Sequence, residues 1–89
     1  MKFYYVYILQ SQKDKYWYTG YTSNLRKRFS EHQNGYTHST KYRRPWKLIY
    51  YEACLSEGDA LAREKYLKSG MGKRFIKKRL KLYLSLIHI

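Results

Sequence analysis

The sequence predicts a small α/β domain, a three-stranded mainly antiparallel sheet flanked by helices in the order β-β-α-β-α-α. Three observations carry that prediction. The run "FYYVYILQ" at residues 3–10 is aromatic and β-branched without a breaker, and "YWYTGYT" and "WKLIYYE" repeat its character downstream. Three other segments, "LRKRFSEHQ", "DALAREKYLKS" and "KRFIKKRLKLY", place apolar residues three or four apart, as helices do. With 89 residues, the chain holds one domain able to bury about 60 to 65% of its unfolded surface, so any active site is expected to be a shallow groove.

In the first strand, alternation sets Phe3, Tyr5, Tyr7 and Leu9 on one face and Tyr4, Val6 and Ile8 on the other. "SQKDK" is a polar turn, which makes the first two strands a hairpin. Gly20 inside the second strand marks a bulge, a turn or a close backbone approach. Ser23 or Asn24 caps the first helix and Asn34–Gly35 stops it. On that helix Leu25, Arg28, Phe29 and His32 share one stripe, so an arginine and a histidine accompany the apolar anchors. Residues 36–45 form a polar, cationic loop, and the third strand follows Pro45. Ser56 and Asp59 resemble a capping box for the second helix, where Leu61, Glu64 and Leu67 recur every third position and Gly70 supplies the stop. The last helix is expected to bury Phe75, Ile76, Leu80 and Tyr83 and to turn Lys73, Lys77, Lys78 and Lys81 outward.

Composition narrows the function. Nineteen Lys plus Arg against six Asp plus Glu leave a net charge of +13, far beyond a solubility surface, which mixes both signs. Nucleic acid is the partner such a field suits. A single cysteine, Cys54, excludes an internal disulfide framework and a cysteine-rich zinc site. The N-terminus has no apolar run long enough for a signal peptide or a membrane span, so a cytoplasmic protein is expected. Residues 1–83 form the expected domain. The tail "LSLIHI" at 84–89 is unlike the basic run before it and matches the translation of a sequencing-library adapter end. It is expected to be foreign to the domain, and His88 is left out of the functional reading.

Tyrosines from a hairpin, an arginine and histidine from one helix and a carboxylate from the next are parts that phosphodiester hydrolysis needs. A base must take a proton from water, a divalent cation must polarise the phosphate, and a fixed cation must meet charge growing on its oxygens. In the cationic loop, Lys41, Arg43 and Arg44 can track a nucleic-acid backbone, as can Lys73 and Lys77 on the last helix. An ordinary solvated surface is the other reading of those cations.

"YVY" at 5–7, "YTG" at 18–20, "GYTSNLRKRFSEH" and "ALAREKYLK" appear in the order that resembles the GIY-YIG endonuclease superfamily. The likeness is greatest to its short free-standing members, which are related to the N-terminal nuclease domain of a DNA excision-repair excinuclease. It spans residues 2–83. Tyr5 replaces the glycine of the family's name, Thr19 replaces an apolar β-branched residue, and no Asn follows Glu64. The resemblance implies DNA cleavage with one divalent ion, Mg²⁺ or Mn²⁺, with Tyr7 as general base, Tyr18 and His32 positioning the parts, Arg28 on the phosphate and Glu64 as metal ligand. A non-catalytic nucleic-acid-binding module and an RNA-directed nuclease are the rival readings.

Overall fold

The computed structural model describes residues 1–86; the end of the tail, including His88, lies outside the described residues. Strand β1 (Tyr4–Ser11) is the centre of the sheet, flanked on one side by β2 (Trp17–Thr22) and on the other by β3 (Trp46–Cys54), both antiparallel to it. The expected three-stranded antiparallel sheet with flanking helices is therefore the observed one. A strand paired on both edges and covered on both faces should be buried over a continuous run, and six consecutive residues of β1, the apolar Val6 to Leu9 followed by Gln10 and Ser11, are buried.

Helix α1 (Leu25–Gln33) covers one face and α2 (Glu57–Lys68) with α3 (Gly70–Arg79) the other. The alternation in β1 separates two cores. Val6 and Ile8 pack with Ala60, Leu67 and Ile76, while Tyr7 and Leu9 pack with Trp46 and the half-buried Tyr18, Leu25, Phe29 and Leu48. Asn24, rather than Ser23, caps α1, accepting from the Lys27 N–H at 3.1 Å, and Gly35 takes the positive φ of +79° beyond its end. Ser56 precedes α2 without a side-chain cap bond. The capping box is not formed, and Glu57 and Asp59 instead lie in the first turn, where their charge suits the helix dipole.

Two expectations are corrected at the C-terminal end. The last helix is two: α3 starts at Gly70, and after Leu80 a short α4 (Lys81–Leu86) follows. The stop between α2 and α3 is Ser69, whose hydroxyl donates to the Tyr66 carbonyl and accepts from Gly72 N–H. Gly72 is buried against the backbone of Tyr66 and Leu67, where a Cβ would collide, so this close helix contact requires glycine. Leu61, expected on the apolar stripe, is 46% exposed; the inward face of α2 is carried by Ala60 and Leu67, seven residues apart. Helix α4 is pinned by Tyr83, whose hydroxyl donates to Gln10 Oε1 at 2.8 Å, and Leu84 continues it half-buried.

Candidate active site

Tyr7 stands opposite Gly20 in the β1–β2 register, and its ring crosses the glycine so closely that a Cβ there would strike the phenol. The glycine in the strand is thus a place of close approach. Tyr18, two residues earlier in β2, shares that face, its ring 6.5 Å from that of Tyr7. Above them lies α1. Its 3.6-residue period sends Leu25 and Phe29 into the core beside Tyr7 and Leu9, and the same stripe brings Arg28 and His32 to the tyrosines.

His32 is fully buried and uses both ring nitrogens. Nε2 is 2.8 Å from the Tyr7 hydroxyl and Nδ1 is 2.8 Å from Thr40 Oγ1, while the Tyr18 ring meets the imidazole edge-on at 5.1 Å. Arg28 is near enough to Tyr7 for its charge to favour the ionised phenol, and it pairs with Glu31 at 3.2 Å. Thr40 gives its own proton to the Thr37 carbonyl at 3.4 Å, so its oxygen accepts from Nδ1–H, and the neutral ring leaves Nε2 to accept the Tyr7 proton. One polarised chain runs from Tyr7 through His32 and Thr40 to the loop, with the Arg28 charge beside its start.

Burial pushes the Tyr7 pKa up to about 12 against the opposing pull of Arg28, with Tyr18 and Glu64 adding to the rise. The His32 pKa falls to about 4, first by burial and then by the Arg28 charge. Both groups are therefore neutral at neutral pH, as the hydrogen-bond direction requires.

Glu64 comes from α2 with its side chain 20% exposed, near enough to Tyr7 for its charge to raise that phenol. Its carboxylate meets Lys68 one turn on, at 3.3 Å. Among the described residues no three His, Cys, Asp or Glu side chains cluster. A lone, partly sheltered carboxylate nonetheless fits Mg²⁺, which keeps several waters and takes further oxygens from substrate phosphate.

The cations sort into two groups. Arg43 pairs with Asp14 at 3.0 Å and lies on the Trp46 ring at 4.8 Å. Arg44 donates to the Lys41 carbonyl at 2.7 Å, and its guanidinium lies against Gly35. Arg43 thus ties the loop to the β1–β2 turn and to β3, Arg44 braces the loop on itself, and Lys41 covers Tyr42 at 4.9 Å. Lys73 and Lys77, by contrast, join Lys15 and Lys68 along an open groove of about 780 Å³ that Tyr18 also lines. Lys15 is not singled out by spacing, and Lys68 only as the residue one helical turn after Glu64. Thr40 is equally silent in the sequence, since it sits in a loop without periodicity; a histidine on an apolar stripe signals only that both nitrogens need partners.

The sheet and its helices define a small α/β domain with this cluster on the face that α1 covers. Residues 3–81 match the profile of the GIY-YIG catalytic domain, and the chain belongs to the GIY-YIG family. It is 46% identical over 65 residues to a UPF0213 protein of Clostridium perfringens, covering 72% of this chain and 69% of that one. It is 37% identical over 73 residues to the UPF0213 protein YazA of Bacillus subtilis, covering 81% and 69%. The solution structure of a UPF0213 protein from Bacillus halodurans superposes with a TM-score of 0.54 at 33% identity, covering 85% of this chain and 83% of that one.

Proposed function

We propose that the chain is an endonuclease that hydrolyses DNA phosphodiester bonds at the Tyr7 cluster with the aid of Mg²⁺ or Mn²⁺. The observation that supports this most is the chain of hydrogen bonds in which Tyr7, beside Arg28, donates to a neutral His32. Tyr7 accepts the proton of the attacking water as it passes its own to Nε2, and His32 keeps its Nδ1–H on Thr40. In the resting site that transfer is uphill. An arriving phosphate offsets the Arg28 charge that helps hold the imidazole neutral, so the pair becomes more basic when substrate binds. Arg28 meets the charge growing on the phosphoryl oxygens, and Tyr18 fixes the ring of His32 from the side. A divalent cation held by Glu64 would supply Lewis acidity at the phosphate.

Lys73 and Lys77 carry the substrate backbone along the basic groove, with Lys41, Arg43 and Arg44 as a second, more constrained set. Phosphate contacts of this kind make binding fall steeply with salt. Among the described residues no helix is long and apolar enough to cross a membrane; the cytosol, where Cys54 stays reduced, is the proposed compartment.

The test is purified protein incubated with single-stranded, duplex, nicked and branched DNA, and with RNA in parallel, in Mg²⁺, Mn²⁺ or chelator. Metal-dependent cleavage of DNA supports the proposal. Cleavage confined to RNA would move the substrate, and binding without cleavage of any form would leave a non-catalytic module.

A further inference from the structure

The face of the sheet that carries Tyr7 continues toward β3, and there α1 leaves it open. Tyr51 is the β3 residue directly opposite Tyr7, so its side chain rises from the same face about 5 Å away at its base. It is 55% exposed. Tyr5 meets it edge to face, with ring centroids 6.1 Å apart. Together with Leu25, Phe29, Leu48 and the exposed Arg26, these two rings line a groove of about 490 Å³.

The proposed hydrolysis leaves Tyr5 and Tyr51 without a role. Their position says what they would suit. An exposed aromatic face in a groove lined by Leu25, Phe29 and Leu48 and by the polar Ser23, Asn24 and Arg26 takes a flat group with an apolar face and polar edges. Arg26 and the net charge of +13 require that group to be attached to an anion. The Tyr7 cluster next door fixes where that anion lies.

We infer that this groove holds an unstacked nucleobase of the nucleotide next to the scissile phosphate, stacked on Tyr51 and bounded by Tyr5. The inference rests on the reading of the Tyr7 cluster as the place where the phosphate is bound. Stacking on an aromatic face is tolerant of sequence, since every base has such a face. The groove therefore grips the strand at the cut without choosing a base.

The test uses the full chain in chelator, so that cleavage does not intrude, and measures binding of a short DNA single strand and of the same strand with every base removed. Tyr51→Ala should weaken binding of the intact strand by at least about fivefold and leave binding of the abasic strand unchanged, while Tyr51→Phe should bind both like wild type. Wild-type affinity of Tyr51→Ala for the intact strand would overturn the inference, as would an equal loss on both strands. A shift of Tyr51→Ala from dimer to monomer in sedimentation, with strand binding unchanged, would also overturn it and assign the groove to a second copy of the chain. Were cleavage absent when metal is restored, but the difference between the two strands kept, the groove would stand and the hydrolytic reading would fall.

Discussion

The Tyr7 hydroxyl lies 2.8 Å from Nε2 of His32, and neither residue is open to solvent. With Thr40 donating to the Thr37 carbonyl and taking the Nδ1–H, the neutral imidazole accepts from Tyr7 at Nε2. With its pKa lowered from 6.5 to about 4, His32 binds a proton less readily folded than unfolded. Its contribution to stability is complete above pH 6.5 and is lost as pH falls toward 4, by about 3 kcal/mol in all. Proton NMR should show the His32 ring resonances unmoved from pH 8 to pH 5. A midpoint near 6.5 would mean that the pair is not formed as described.

Thr40 should act through His32. Thr40→Val removes the oxygen that takes the Nδ1–H and frees the ring to adopt the other tautomer, in which Nε2 carries the proton and cannot accept from Tyr7. Cleavage should fall at least about tenfold with an altered pH profile, on the scale of a buried hydrogen bond lost, and Thr40→Ser should restore both. Failure of Ser to restore them would reduce Thr40 to packing.

Gly20 is expected to tolerate no side chain. Gly20→Ala puts a methyl group into the phenol of Tyr7, so the ring must leave its place and its bond to His32. Turnover should drop with the Tyr7→Phe variant as the benchmark, and the His32 resonances should shift. Unchanged turnover and spectra would show that the ring has room that the structure denies it.

Arg28→Lys keeps the charge and loses the planar fork. Turnover should fall by far more than affinity for DNA, because the fork meets charge that is greatest in the transition state. Equal losses in both would make Arg28 a binding residue.

Much of this arrangement is legible in the chain because it follows periodicity. A two-residue repeat in β1 separates Val6 and Ile8 from Tyr7 and Leu9, and a helical repeat in α1 puts Arg28 and His32 with Leu25 and Phe29. What periodicity does not carry is contact between distant segments. Thr40 reaches His32 from a loop with no repeat, and Tyr51 becomes a neighbour of Tyr7 only through the strand register. Gly72 marks the crossing of α2 and α3 by a backbone contact that no side-chain pattern announces. The Glu64–Lys68 pair is visible as a helical spacing, but spacing alone does not decide between that pairing and a metal.

Glu64→Gln decides it most directly. The exchange keeps nearly the same shape and removes the negative charge that a hard divalent cation needs. In a chain of net charge +13, losing one carboxylate should by charge alone leave DNA binding in chelator equal or tighter. Metal-dependent cleavage should nevertheless fall at least about a hundredfold. Cleavage by the variant at the wild-type rate, in a preparation free of other nucleases, would contradict the account at its centre.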